Sequence, residues 1–238
     1  MSERFQRTHM ILGDDAMDKL KSARVAVFGV GGVGGYAVEA LVRSGVGTID
    51  VFDNDTVAIS NLNRQIIATE KTVGIPKVDA VYERAKLINP DVIINKNQCF
   101  YMPDNADKYD LSVYSYIIDA IDTVTAKIEL ICRAKSAGVP IISSMGTGNK
   151  IEASMLEVSD IKKTEMCPLA RVMRRELKNR GITSLKVIYS KEQPLEPVIK
   201  NTDGGKNAPG SVAFVPACAG LIAAGEAVKD IIKGDGIR

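Results

Sequence analysis

The chain has 238 residues, of which 45% are apolar and 25% are charged, and its net charge at pH 7 is +2. This length suits one large α/β domain, and the composition is that of an ordinary globular protein. The charged first residues lack the apolar core of a signal peptide, and no apolar stretch is long enough to span a membrane. We therefore expect a cytoplasmic protein with no transmembrane segment.

The cysteines are widely spaced and never form a Cys-x-x-Cys pair; they are Cys99, Cys132, Cys167 and Cys218. This spacing argues against a tetracysteine zinc site and against a framework of disulfides. Reduced thiols also fit a cytoplasmic location.

The first part of the chain alternates between strand and helix signals. Short apolar runs that end at glycine, aspartate or another polar residue predict strands at residues 23–28, 48–52, 92–96, 116–119 and 139–143. Helical spacing of apolar residues predicts helices at residues 33–44, 77–87 and 123–136. This alternation predicts an α/β fold with a Rossmann-like, doubly wound and mostly parallel sheet in residues 1–150.

The pattern changes in residues 151–238. We expect strands at residues 151–158, 186–190 and 211–215, helices at residues 168–179 and 217–233, and a loop rich in Pro, Gly, Asn and Asp at residues 193–210. These elements predict a mixed or antiparallel extension that packs as part of the same domain.

A glycine-rich turn follows the first predicted strand and opens the first predicted helix. It reads Gly29-Val30-Gly31-Gly32-Val33-Gly34, and its nucleotide-binding candidates are Gly29, Gly31, Gly32 and Gly34. Glycines let backbone N–H groups approach phosphate oxygens, and the helix dipole favours the negative charge. Asp53 ends the second predicted strand, where a carboxylate can accept hydrogen bonds from ribose. A nicotinamide-dependent dehydrogenase would show the same features.

Polar and cationic residues beyond Asp53 favour ATP over a dinucleotide. Asn61 and Arg64 follow the second strand, and Lys77 lies at the start of the next predicted helix. A triphosphate carries about four charges, and burying them without cationic partners would be costly. Arg64 and Lys77 are suited to supply such partners. Each of them taken singly is also compatible with an ordinary surface charge.

Asp122 lies just beyond the fourth predicted strand, at the carboxyl edge of the sheet. Ligands of open α/β sheets bind at that edge, and Mg²⁺ takes carboxylate and phosphate oxygens. Asp122 is therefore a candidate Mg²⁺ ligand, and its alternative role is that of a plain helix N-cap.

Positive charge is concentrated in residues 162–206, where 11 Lys and Arg face 5 Asp and Glu. On the predicted helix, four of these cations fall on one face: Arg171, Arg174, Arg175 and Lys178. The basic segment indicates an anionic partner, and its alternative is a solvated helix and loop.

Six motifs together resemble the ubiquitin-activating-enzyme-like family that includes MoeB and ThiF. They are Phe5-Gln6-Arg7, the glycine-rich turn, Asp53-Asn54-Asp55, Ser60-Asn61-Leu62-Asn63-Arg64-Gln65, Pro76-Lys77 and Asp119-Ala120-Ile121-Asp122. The resemblance covers about the first 150 residues, with the motifs in order and at matching spacing. It implies an adenylating enzyme, in which a carboxylate attacks the α-phosphate of ATP and pyrophosphate leaves.

The resemblance also implies roles for single residues. Asp53 would bind ribose in a nucleotide site that includes Asp55, and Asp122 would serve Mg²⁺. The phosphates would be bound by Asn61, Arg64 and Lys77. Arg7 corresponds to an arginine that the family lends across a homodimer interface, so the site would need two subunits.

The second half resembles the TcdA branch of this family, the tRNA threonylcarbamoyladenosine dehydratases. It lacks the two Cys-x-x-Cys zinc pairs of MoeB and ThiF, and it carries the basic segment instead. The implied substrate is N6-threonylcarbamoyladenosine in tRNA, so the four cations above become candidates for binding tRNA rather than DNA. The alternative is an adenylyltransferase of the MoeB and ThiF kind that activates a ubiquitin-like sulfur-carrier protein.

Two further residues have chemical potential, and we expect neither to be catalytic. Cys167 precedes a proline at a predicted helix start, where a thiolate is favoured, but an intramolecular cyclisation needs no enzyme nucleophile. His9 is the single histidine, and we expect it to have a local structural role.

Overall fold

The structure is a computed structural model that describes residues 3–199 and 209–233. Its sheet has seven strands: β1 (Arg24–Phe28), β2 (Thr48–Phe52), β3 (Ile93–Asn97), β4 (Tyr116–Asp119), β5 (Ile141–Ser144), β6 (Leu156–Asp160) and β7 (Lys186–Ser190). The α-helices of the described ranges are α1 (Gln6–Ser22), α2 (Gly34–Ser44), α3 (Lys77–Ile88), α4 (Val124–Ser136), α5 (Pro168–Lys178) and α6 (Phe214–Ile232).

The strand order is β3-β2-β1-β4-β5-β7-β6, and every neighbouring pair is parallel except β6 with β7. The predicted Rossmann-like sheet with a mixed extension is therefore confirmed. The order reverses between β1 and β4, which makes their carboxyl ends a topological switch point. Ligands of such folds bind in the crevice at this point.

Apolar layers cover both faces of the sheet. On one face, α1, α2, α3 and α6 bury a core with Val25 and Val27 of β1. On the other, α4, α5 and residues 99–114 bury a core with Ala26 and Phe28. Because successive side chains of a strand point to opposite faces, β1 serves both layers and reads as an unbroken apolar run.

Most predicted elements are confirmed to within a few residues, and the main differences lie in the first 22 residues and beyond residue 150. Helix α1 was not predicted, because Gly13 interrupts it with a non-helical backbone (φ 78°, ψ 176°) and few of its residues are apolar. The strand predicted at residues 211–215 is wrong, since α6 already begins at Phe214. The strand predicted at residues 151–158 starts later, after a 3-10 turn at Ala153–Met155.

The predicted loop at residues 193–210 lies partly outside the described residues. In the ranges that are described, no helix combines the length and the apolar character that a bilayer crossing requires.

Candidate functional site

The glycine-rich turn connects β1 to α2 at the switch point. Gly29 has φ 81°, and a Cβ there would lie 2.7 Å from the carbonyl oxygen of Ala120, so a side chain is excluded on both counts. A Cβ on Gly34 would lie 1.7 Å from the oxygen of Gly29. The turn is therefore closed tightly on itself and on the residues that follow β4, with the N-terminus of α2 directed at the crevice.

Asp53, at the end of β2, is tied to the same turn. Its Oδ2 accepts a hydrogen bond from the N–H of Val30 (2.8 Å), and its Oδ1 accepts one from the N–H of Asp55 (2.9 Å). Burial raises the pKa of Asp53, while the charge of Lys77 and the two N–H donors act in the opposite direction. Because an ionised carboxylate offers about four lone-pair positions, both oxygens can still accept from a ligand hydroxyl.

Lys77 is the first residue of α3, and its side chain is 7% exposed. Its Nζ donates to Asp55 Oδ2 at 2.7 Å and lies 3.9 Å from Asp53 Oδ1. A backbone bond from Lys77 N–H to Asp55 O (2.9 Å) fixes the two segments together. The structure thus brings Asp53, Asp55 and Lys77 together as one charged group, and pairs the lysine with Asp55 in particular.

Arg64 and Asn61 lie on the turn that follows β2. Asn61 Oδ1 accepts from the N–H of Ala58 at 3.0 Å, which caps a 3-10 turn. Arg64 Nη1 donates to Ser60 O and to Asn63 Oδ1, both at 2.9 Å. The Cγ of Arg64 is 3.6 Å from the place that a Cβ on Gly32 would take. The aliphatic part of Arg64 therefore lies beside the glycine-rich turn, while its guanidinium is bonded within residues 60–64.

Gln65 is a further polar residue at this site that the sequence reasoning did not single out. It is buried, its Nε2 lies 3.6 Å from the place that a Cβ on Gly31 would take, and its Oε1 has no hydrogen-bond partner within the described residues. Gln65 directly follows Arg64 as the last residue of the Ser60–Gln65 motif, and this position could have identified it as a site residue.

Asp122 is exposed and lies between β4 and α4. The N-cap residue of α4 is Thr123, so the alternative interpretation of Asp122 as the helix N-cap is wrong. Ala120, two residues earlier, contacts the turn. Its carbonyl oxygen lies next to Gly29, and its Cβ is 3.4 Å from the place that a Cβ on Gly34 would take. Asp122 therefore belongs to the loop that packs on the glycine-rich turn.

Arg7 is exposed on α1 and is far from the glycine-rich turn of its own chain. The neighbouring Phe5 contacts the region of Gly45, which ends α2. The 11 residues of α2 separate this end from the turn by about 16 Å. The structure does not bring Arg7 together with the other predicted site residues of the same chain.

The basic helix α5 presents Arg171, Arg175 and Lys178 to solvent. Arg174 is half-buried, and its Nη1 donates to Thr164 O (2.8 Å) and Thr164 Oγ1 (2.9 Å). Arg174 therefore also anchors the segment before α5.

The remaining two candidates have structural surroundings. Cys167 is 4% exposed, and its Sγ lies 3.8 Å from the place that a Cβ on Gly146 would take. A thiol this buried cannot meet a large substrate without a rearrangement. His9 Nε2 lies 2.8 Å from Asp14 Oδ1 within α1, a local contact.

The second half of the chain contacts the first half directly, near the glycine-rich turn. Pro216 of α6 lies 3.3 Å from the place that a Cβ on Gly32 would take. Asn63 Nδ2 donates to Ser211 O at 3.0 Å, and the N–H of Asn149 donates to Gly210 O at 2.7 Å. Residues 209–216 therefore line the crevice between the glycine-rich turn and the loop after β5.

Comparisons with known proteins agree with this geometry. The model of the ThiF family matches residues 5–236. The tRNA threonylcarbamoyladenosine dehydratase of Bacillus subtilis (strain 168) is 40% identical over 244 residues, which is 98% of this chain and 96% of that protein. The molybdopterin-synthase adenylyltransferase of Salmonella typhimurium is 35% identical over 142 residues, which is 59% of this chain and 57% of that protein.

Solved structures of the Escherichia coli tRNA N6-threonylcarbamoyladenosine dehydratase, TcdA, superpose on nearly the whole chain. The complex with AMP gives a TM-score of 0.89, and the complex with ATP gives 0.88. Both are 34% identical in sequence and cover 97% of this chain and 94% of the solved chain. With a family match along almost its whole length, the chain belongs to the ThiF family.

Proposed function

We propose that the chain is an ATP-dependent dehydratase that cyclises N6-threonylcarbamoyladenosine in tRNA. The observation that carries this proposal is the extent of the similarity. The dehydratases match this chain in both halves, whereas the match to the molybdopterin-synthase adenylyltransferase covers 59% of it. The similarity to the dehydratases thus extends well beyond the portion of the chain that is shared with the adenylyltransferase.

The reaction proceeds in two displacements. A threonine carboxylate oxygen attacks the α-phosphorus of ATP, which forms an acyl-adenylate and releases pyrophosphate. An atom of the carbamoyl group of the same nucleoside then attacks the acyl carbon, AMP leaves, and the carbamoyl group loses a proton. The nucleoside loses one water in total, and the departing oxygen leaves with AMP.

The nucleotide is held by the group of residues around the glycine-rich turn. The N–H groups at the start of α2 bind phosphate oxygens, and Asp53 with Asp55 binds the ribose side. In this proposal Arg64, Lys77 and Asn61 bind the phosphates. The positive charges of Arg64 and Lys77 support it, as does the 3.9 Å contact of Lys77 with Asp53, which bonds to Val30 of the turn. In this arrangement a phosphate competes with Asp55 for Lys77.

Asp122 fits a Mg²⁺ ion that ATP brings with it. Mg²⁺ is usually held by one or two carboxylates together with phosphates and water, and Asp122 is an exposed carboxylate on the loop that packs against the turn. When bound, the ion neutralises charge that develops on the phosphates. The chain contributes the fixed position of Asp122.

We further propose a homodimer in which Arg7 serves the site of the partner subunit. The position of Arg7 at the far end of α2 supports this, because it is too distant to serve its own site. Mixing the inactive variants Arg7→Ala and Asp122→Asn would form hybrid dimers with one intact site. Recovery of activity on mixing is the expected result, and no recovery would contradict the shared site.

The exposed cations of α5 form the proposed tRNA-binding face, which comprises Arg171, Arg175 and Lys178, with Arg174 partly engaged by Thr164. Reversing the charge in Lys178→Glu is expected to weaken tRNA binding. The slope of log affinity against log salt concentration should fall by about 1, as for the loss of one phosphate contact. The matched control is Lys21→Glu, which alters an exposed lysine in the last turn of α1. ATP affinity should be unchanged in both, and equal tRNA affinity in both would contradict the face.

One experiment tests the function as a whole. The protein is incubated with ATP, Mg²⁺ and bulk tRNA that contains N6-threonylcarbamoyladenosine, and the digested nucleosides are analysed by mass spectrometry. The expected result is loss of one water from that nucleoside, with release of AMP and pyrophosphate. Unchanged tRNA together with adenylation of a small carrier protein would favour the sulfur-carrier alternative instead.

A further inference from the structure

A buried ion pair lies directly beneath the candidate site. Asp119 is the last residue of β4 and Lys127 lies in the first turns of α4. Both side chains are 0% exposed, and Lys127 Nζ is 3.0 Å from Asp119 Oδ2. None of the roles assigned above uses either residue.

The pair fixes the backbone of the loop that carries Asp122. Asp119 Oδ1 accepts from the N–H of Ile121 at 3.1 Å, and Lys127 Nζ donates to the carbonyl oxygen of Ile121 at 3.0 Å. Asp119 Oδ2 also accepts from Ser143 Oγ of β5 at 2.6 Å. The two peptide groups that flank Ile121 are therefore both held, and the second of them leads into Asp122.

The same loop packs on the glycine-rich turn. The carbonyl oxygen of Ala120 is the atom that excludes a side chain at Gly29, and the N–H of Ala120 donates to Phe28 O at 2.8 Å. A shift of residues 119–122 would thus change the distance between Asp122 and the phosphate-binding N–H groups.

A buried ion pair contributes little net free energy to the stability of a fold. Desolvation of the two charges offsets much of their attraction, and well-packed apolar residues often stabilise as well or better. The value of this pair is then in its geometry, because charged groups with two or three directed partners each can hold a loop that apolar contacts would leave free to slide.

We propose that Asp119 and Lys127 are positioning residues, which hold Asp122 at a fixed place relative to the glycine-rich turn so that Mg²⁺ and ATP bind in the geometry for adenylation. This inference rests on the proposed function, in which Asp122 binds Mg²⁺. Small displacements of catalytic groups reduce rates steeply, by about 100-fold for a shift near 1 Å.

The test removes both charges together in the double variant Asp119→Asn/Lys127→Met, which leaves no unpaired buried charge. We expect a thermal midpoint near that of the wild type and a kcat for tRNA-dependent AMP formation that is about 100-fold lower. The Mg²⁺ concentration for half-maximal activity should rise, while ATP affinity measured without Mg²⁺ stays near that of the wild type. A wild-type kcat and Mg²⁺ dependence in the folded double variant would overturn the proposal.

Two further variants keep the test decisive. Glu39→Gln/Arg84→Met removes an ion pair between α2 and α3 (2.7 Å) away from the loop, and should leave kcat and Mg²⁺ dependence unchanged. Ser143→Ala removes one partner of Asp119 but keeps both charges, so it decides the matter if the double variant does not fold. An intermediate loss of kcat is expected there, and an unchanged kcat would overturn the proposal.

Asp122→Asn separates this inference from the proposed function. If Asp122→Asn is inactive at every Mg²⁺ concentration while the double variant behaves as the wild type, only the positioning role is overturned. If Asp122→Asn itself retains the wild-type Mg²⁺ dependence, the metal role of Asp122 is overturned, and the positioning role with it.

Discussion

Replacing Gly31 by alanine separates the nucleotide-binding role of the glycine-rich turn from its structural role. A Cβ on Gly31 meets nothing closer than the Gln65 amide at 3.6 Å, which is ordinary van der Waals contact, and its φ is outside the left-handed region. The free protein can accept this methyl group. Where the backbone is compatible, replacing glycine by alanine raises the free energy of unfolding by about 0.4–1 kcal/mol, because it lowers the conformational entropy of the unfolded chain.

The effect on ATP should be large by comparison. In the proposed site the methyl group stands where phosphate oxygens approach the backbone N–H groups. A hydrogen bond to a charged group contributes about 1.5–3 kcal/mol, and about 1.4 kcal/mol is a factor of ten in affinity. Losing one such bond therefore weakens ATP binding by about 10- to 100-fold.

Isothermal titration calorimetry with ATP and thermal unfolding measure the two effects separately. The matched control is Gly225→Ala in α6, an exposed helical position where a Cβ meets nothing within 4 Å. It should stabilise the fold by up to about 1 kcal/mol and leave ATP affinity unchanged. If Gly31→Ala is folded and binds ATP as the wild type does, the turn does not hold the phosphates.

Two other substitutions test the fold, one at the turn and one at the opposite edge of the sheet. Gly34→Ala places a Cβ 1.7 Å from Gly29 O, so the turn must open, and calorimetry should show a midpoint lower by several degrees; an unchanged midpoint would refute this packing. For Asp230, burial alone would raise the pKa, but hydrogen bonds from Lys186 (2.6 Å) and Tyr116 (2.9 Å) outweigh it and lower the pKa. The carboxylate then stabilises the fold above about pH 4, and this is lost as the pH falls through the lowered value. Urea unfolding of Asp230→Asn should show a deficit at pH 7 that shrinks in acid, and a deficit independent of pH would refute it.

The positions of the glycine-rich turn and of Asp53 in the fold were predictable because their signals are local. Strand β1 is followed by Gly29, β2 by Asp53, and β4 ends at Asp119, and parallel strands bring those ends to one edge. Gly29 and Asp53 could therefore be assigned to one crevice from the sequence alone. Their hydrogen-bonded link through Val30 is a consequence of that same edge.

The parts that were missed depend on partners that lie outside the helix or strand concerned. Helix α1 is packed by α6, which lies near the other end of the chain, so its short apolar stripe is a weak signal by itself. Helical spacing placed Arg174 with the other cations of α5, but Thr164 engages it, and spacing within a helix contains no information about that neighbour. The pairing of Lys127 with Asp119 was hidden for the same reason, since a lysine at a helix start reads as a surface charge.

The contact between the two halves explains how one crevice can bind both nucleotide and substrate. Adenylation requires a substrate carboxylate to reach the α-phosphate, so the substrate must lie against the phosphate-binding turn. In this chain α6 begins over that turn, with Pro216 next to Gly32, and Asn63 donates to Ser211 O just before the helix. Residues 211–216, in the second half of the chain, therefore lie against the turn. Under the proposed function, the substrate is expected to contact these residues while ATP occupies the turn.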